Sequence, residues 1–238
     1  MTIKQIIENI TPEIRKEMKS IWFTADLHHG HPKIVNICNR PVYLESKLQD
    51  YFLGREADDP EYKMTKDPQW KAEMNKIHDE WLVKEVFNRY IGKKDTVFIL
   101  GDLSLAKRQE AEKFIDRLNG NKFLILGNHD KNIDTSTRFA QITQIKDFRF
   151  KRPGMYIHIS LCHYPMASWD RKPYGSWHLY GHVHGRYKNP GLSLDVGLDN
   201  PEIGWRPINL YEVALMMSDK EEFFGEGRYY DNGLEGVD

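Results

Sequence analysis

An α/β fold is what this sequence predicts, from three observations. Two short runs dominated by apolar residues, Thr96–Leu100 and Lys122–Leu126, are continuous rather than alternating, as strands buried on both faces must be. A helical pattern over about 106–118 stands between them. The same order of buried strand, polar tip and helix begins at residues 21–25, which places polar side chains together at strand C-termini. With 238 residues, 40% hydrophobic and 29% charged, the chain has core material for one domain spanning 1–238.

Taken in order, residues 1–19 mix Lys and Glu with Ile and have no unbroken apolar run, so they predict neither a signal peptide nor a membrane span. The strand at 21–25 delivers Asp26, and Pro32 suits the first turn of a helix that runs to about Asn39 and stops before Pro41. Residues 42–68 are polar, with Pro60 and Pro68, and read as an insertion covering part of the surface. From 69 to 91 a stripe of Trp70, Met74, Ile77, Trp81, Val83, Val86, Phe87 and Tyr90 predicts a long helix ended by Gly92. After the two central strands, short strands are expected at 155–161, 177–181, 191–196 and 206–209, then a helix over 210–217. From about 219 the polar, Gly-containing sequence is expected to be a mobile tail.

A formal net charge of −1 advertises no global positive field for nucleic acid or membrane. Two cysteines, Cys38 and Cys162, make no disulfide framework, and a reducing, cytoplasmic setting is the expectation.

Histidine placement carries the chemistry. His28, His29, His31, His129, His163, His182 and His184 bunch beside Asp, Asn and Gly. They fall in Asp26-Leu27-His28-His29-Gly30-His31, Gly127-Asn128-His129-Asp130, Cys162-His163 and Gly181-His182-Val183-His184, with Gly101-Asp102 as a further polar tip. In extended chain, residues two apart share a side, so Asp26 with His28, and His182 with His184, are each expected to serve one site. Imidazole with carboxylate suits two divalent ions of the Mn, Fe, Zn, Co or Ni type better than Ca or Mg. No cysteine stands at a predicted ligand position, which argues against a structural thiolate zinc site.

The ordered set Asp-x-His, Gly-Asp, Gly-Asn-His-Asp, His and Gly-His-x-His resembles the calcineurin-like metallophosphoesterase superfamily over about residues 21–197. Thr24-Ala25-Asp26-x-His28-x-Gly30-His31 and Trp177 to Gly185 are similar to its small bacterial and phage members. The resemblance implies a sandwich of two mixed β-sheets flanked by helices. It implies one metal held by Asp26, His28, Asp102 and His184, and a second by Asp102 as bridge, Asn128, His163 and His182. His129 would face the substrate phosphate as acid. The implied reaction is hydrolysis of a phosphate ester by hydroxide bridging two divalent cations.

A phosphodiesterase or phosphatase acting on a small, nucleotide-like substrate is the leading expectation. A nuclease on DNA or RNA ends is less favoured for want of a Lys/Arg stripe. A non-catalytic scaffold for protein binding is the reading from another class. His31 and Arg40 are candidate contacts to substrate phosphate, with an ordinary solvated arginine the alternative for Arg40. Leu103-Ser104-Leu105 after Gly101-Asp102 departs from the Ser/Thr protein phosphatase branch. In 168–175, Trp169, Arg171 and Tyr174 form either a base-stacking surface or an ordinary surface loop.

Overall fold

The computed structural model of the chain describes residues 2–224. Two short helices open it, α1 (Ile3–Glu8) and α2 (Pro12–Met18). Each starts at a threonine whose hydroxyl accepts a backbone N–H, Thr2 from Gln5 and Thr11 from Ile14. At six and seven residues they are too short to show a periodic stripe, which is why patterning did not mark them.

Along the chain follow β1 (Ile21–Thr24), α3 (Ile34–Ile37), α4 (Ser46–Asp58), α5 (Pro68–Trp81), β2 (Thr96–Leu100) and α6 (Arg108–Arg117). Then come β3 (Asn121–Ile125), β4 (Gln141–Thr143), β5 (Ile145–Arg152), β6 (Met155–Cys162), β7 (Trp177–Tyr180), β8 (Ser193–Asp195), β9 (Ile208–Asn209) and α7 (Leu210–Phe224). The first sheet has the order β4-β3-β2-β1-β9, parallel except that β9 runs antiparallel to β1. The second has the order β5-β6-β7-β8, with an antiparallel β5–β6 hairpin and parallel pairs beyond it. Both sheets are therefore mixed.

Between them lies the main core, where Phe23, Phe98 and Ile125 meet Ile157, Ile159, Leu161, Leu179 and Leu194. On the other side of the first sheet, Trp22, Val97, Ile99 and Leu124 pack against Leu82, Val86, Phe87, Phe114 and Ile115 of the helical layer. Burial on both faces accounts for the unbroken apolar run of β2 and for Leu124 and Ile125 at the buried end of β3. The fold is the α/β sandwich of two mixed sheets flanked by helices.

Several elements differ from the sequence expectation. The helix expected over 69–91 begins at Pro68, N-capped by Asp67, and passes at Leu82–Phe87 into a π-helical turn. Residues 42–68 are more than polar cover: Val42, Leu44, Phe52 and Met64 close on Trp70 and Met74 as a small core of their own. The helix after Pro32 is a single turn. Strand β5 was not foreseen, because Lys146, Asp147, Arg149, Lys151 and Arg152 mask its alternation and Phe150 is its one buried residue. Helix α7 runs through Phe224, so 219–224 is helical rather than tail; the remainder of the expected mobile tail lies outside the described residues. Among the described residues no helix is long and apolar enough to cross a membrane.

Candidate metal centre

The tips of β1, β2, β3, β6 and β7 bring the histidine motifs together as two trios of ligand-type side chains. Asp26, His28 and His184 form one, and Asp102, His163 and His182 the other; within each, ligand atoms lie within 4.8 Å of one another. Asp102 joins them. Its Oδ2 stands 3.8 Å from His28 Nε2 and 3.5 Å from His163 Nε2. Asn128 Oδ1 lies 3.3 Å from His163 Nε2, so all seven side chains expected as ligands converge here.

The spacing argument needs one correction. His182 and His184 enter different trios instead of sharing one. The chain is not extended there: φ is 72° at His182 and 50° at His184. Asp26, His28 and Asp102 are also left-handed, at 59°, 56° and 50°. Of the eight described non-glycine residues with positive φ, five are these ligand-type residues, so backbone strain is concentrated at the centre.

Hydrogen bonds hold those conformations. The Asp26 carboxylate accepts the His182 N–H at 3.1 and 3.0 Å, and Asp102 Oδ1 accepts the His129 N–H at 3.0 Å. Asp130, fully buried, accepts the amides of Asp102, Leu103 and Gly127 at 2.9, 2.8 and 2.9 Å and so ties the β2 tip to the β3 tip. A Cβ on Gly127 would collide with the Asp102 amide and carboxylate, and one on Gly101, at φ +83°, would strike the His163 ring. That close approach explains glycine in both motifs.

Arg40 is corrected outright. It is 2% exposed, and its five N–H donors are spent inside the protein. Nε and Nη2 bond Asp199 at 2.9 and 2.8 Å, Nη1 bonds Leu27 O at 2.8 Å and faces His78 Nε2 at 2.9 Å, and Nη2 reaches Asp26 O at 2.6 Å. No donor remains for a substrate, and no part of the guanidinium is solvated. The same Asp199 Oδ2 lies 2.6 Å from His184 Nδ1, which Cys38 Sγ also approaches at 3.6 Å. Asp199 is thus a site residue that sequence reasoning missed. Its signal was available: an acid just past a short buried strand, in Gly197-Leu198-Asp199.

His129 is among the more exposed residues of the centre, its side chain 42% accessible, with Nε2 3.9 Å from Asp102 Oδ2. The His31 ring lies 5.7 Å from that of His28. His29 turns away to Ser104 Oγ at 2.8 Å and stacks on Phe114. His178 bonds Ser160 O at 3.0 Å and accepts the Met166 N–H at 3.1 Å. In the loop at 168–175, Trp169 is buried with its Nε1 on Ser176 O, which removes it as a stacking surface for a base.

Electrostatics separate these groups. Burial raises the Asp26 carboxyl to about 7. Burial also works upward on Asp102, but hydrogen bonding and charge from His163 outweigh it and bring the carboxyl to about 2. Burial, then Arg40, pushes His28 well below the usual imidazole range. For His184 burial works downward and the Asp199 hydrogen bond prevails, raising the ring to about 10. The donor set fits divalent cations on a direct observation: His28 is 3% exposed, and neither ring nitrogen has a hydrogen-bond partner among the described residues. A neutral buried imidazole left in that state is costly, and a metal ion is the partner its lone pair lacks.

Fold and ligand set together define an α/β sandwich built around a candidate two-cluster metal centre. The chain belongs to the calcineurin-like phosphoesterase family, whose profile matches residues 19–226. It is 26% identical to the gene 66 protein of Mycobacterium phage D29, over 86% of this chain and 99% of that protein. It is 28% identical to an uncharacterized protein of Methanocaldococcus jannaschii, over 84% of this chain and 92% of that one. A solved structure of a protein of unknown function from Aquifex aeolicus is similar at 19% identity, covering 82% of this chain and 98% of that chain, with a TM-score of 0.49. Family membership supports metal-dependent phosphoester hydrolysis.

Proposed function

We propose that the chain hydrolyses a phosphate diester or monoester of a small, nucleotide-like alcohol at a pair of divalent cations. The observation that carries this reading is the approach of both trios to one oxygen, Asp102 Oδ2. Asp26, His28 and His184 with Asp102 would hold one ion, and Asp102, Asn128, His163 and His182 the other. Cations of the Mn, Fe, Zn, Co or Ni type bound there would supply an acidified water and neutralise charge on phosphoryl oxygens.

The chain's own residues do the rest. His129, solvent-facing beside Asp102, delivers a proton to the leaving oxygen. His31, next to His28, hydrogen-bonds a phosphoryl oxygen. Asp199, clamped by Arg40, engages Nδ1 of His184 and would leave Nε2 for the ion. A cleft of about 550 Å³ opens beside Asn128, lined by Lys131, Gln144 and Tyr164, a volume that suits a small ligand. The larger cavity of about 640 Å³ near Tyr187, Lys188 and Met216 contains none of the seven expected ligands, whereas the cleft includes Asn128, so size does not make it the site.

Purified full-length protein, stripped with chelator and reloaded with Mn²⁺, should cleave bis-p-nitrophenyl phosphate and lose that activity on chelation. Cyclic nucleotides, phosphomonoesters and single-stranded DNA, assayed side by side, separate the substrate classes. Turnover of DNA alone would replace this reading with the nuclease. Metal-replete protein inert to every substrate would leave the scaffold.

A further inference from the structure

Away from the centre, a third cluster of ligand-type side chains stands on the outer end of the second sheet. We propose that Asp147, His158 and Asp170 form a peripheral site for a Zn²⁺-class divalent ion. The ion would tie the β5–β6 hairpin to the loop before β7.

The hairpin register pairs Asp147 with Ser160 and Arg149 with His158, so Asp147 and His158 lie on one face of adjacent strands. The His158 side chain is 2% exposed, and its Nε2 is a buried atom without a hydrogen-bond partner among the described residues. That nitrogen is aimed between two carboxylates, 3.4 Å from Asp147 Oδ1 and 3.2 Å from Asp170 Oδ2. The three ligand atoms lie within 4.8 Å of one another. Tetrahedral zinc with ligands about 2.0–2.1 Å away has ligand–ligand edges of about 3.3–3.4 Å, which the two measured separations match. The opposite ring nitrogen, Nδ1, is 3.3 Å from Tyr156 Oη. With the proton on Nδ1, the ring donates to Tyr156 and turns its Nε2 lone pair to the carboxylates, the second-shell arrangement typical of metal-bound histidine.

The Asp147 carboxylate and the Asp170 backbone are held in place. Ser160 Oγ donates to Asp147 Oδ1 at 2.7 Å. Asp170 stands on a loop closed by Trp169 Nε1 on Ser176 O and by Ser176 Oγ on Asp170 O. Asp147 and Asp170 are themselves exposed, which gives an ion access and leaves room for water to complete its shell. The competing account is a bare ion pair, in which one imidazolium N–H faces two acceptors. A single N–H serves one acceptor well, and here the geometry satisfies neither.

The test uses untagged full-length protein dialysed against limiting Zn²⁺, with metal content, thermal midpoint and hydrolase activity read together. Asp170→Asn and Asp147→Asn change exposed side chains, and circular dichroism checks that each variant folds. The expected result is a loss of about one zinc per chain in each, with the zinc-induced rise in Tm reduced and activity retained. Asp102→Asn, in which the central site is disabled, should still hold zinc that Asp102→Asn/Asp170→Asn lacks. Equal zinc content in wild type and Asp170→Asn would overturn the proposal and leave an ion pair.

Discussion

Asp199 and Arg40 form a bidentate pair at 2.9 and 2.8 Å, with side chains only 2% and 0% exposed. The guanidinium also holds the carbonyls of Asp26 and Leu27, at the strained end of β1. Removing it leaves a buried carboxylate with His184 as its remaining partner, and two carbonyls without their donor. Arg40→Met should therefore lose about 3–5 kcal/mol of stability by urea denaturation. Arg40→Lys should not restore it, since one ammonium cannot reproduce the planar fork. Wild-type stability in Arg40→Met would contradict this account.

Asp199→Asn keeps the shape but removes the charge behind the His184 ring. Metal affinity should weaken about 10–100-fold, measured by competition with a chelator of known strength. An unchanged affinity would show that His184 needs no oriented partner.

Asp102 faces both trios, whereas His182 belongs to one. On the proposed two-ion reading, Asp102→Asn should deplete both ions, and His182→Ala mainly one, as counted by mass spectrometry of native protein. Full occupancy in Asp102→Asn would count against the shared oxygen.

His129 touches the ligand set through its backbone N–H, while its ring stays solvent-facing. His129→Ala should lower kcat by about 10²–10⁴-fold with metal content nearly intact. Undiminished kcat in a metal-replete variant would remove it from the chemistry.

His78 offers a pH signature independent of the metal ligands. It is fully buried beside Arg40, and burial, then the Arg40 charge, pushes its imidazole down to about 2. In the unfolded chain histidine titrates near about 6.5. Between those values the unfolded state binds a proton that the folded state lacks, so this group makes stability fall as pH drops below about 6.5. The stability advantage of wild type over His78→Gln should shrink by about 1.4 kcal/mol per pH unit below about pH 6. A pH-independent difference in urea unfolding would rule this out.

Much of the centre was legible because its elements advertise themselves locally. Strands β1, β2 and β3 are short apolar runs, and each ends in a motif whose glycine is demanded by contact with a neighbouring tip. Arg40 was not legible. Its partner Asp199 is 159 residues away, and nothing near Pro41 signals that a guanidinium will be entombed. The division of His182 and His184 between trios follows the family resemblance, which assigns them to different ions, but not the spacing: two-residue alternation presumes extended backbone, and φ is positive at both. Strand β5 was lost among its own lysines and arginines, which suit an edge but erase the apolar rhythm.

The Gly181–His184 turn has a thermodynamic corollary. One tight corner of backbone feeds both basins, and Asp26 grips that corner through the His182 amide. On the proposed two-ion reading, an ion settling in the first basin would rigidify the doorway to the second. Linkage makes that help mutual and equal in size, so loading of apoprotein should be cooperative, with molecules carrying a single ion scarce at half saturation.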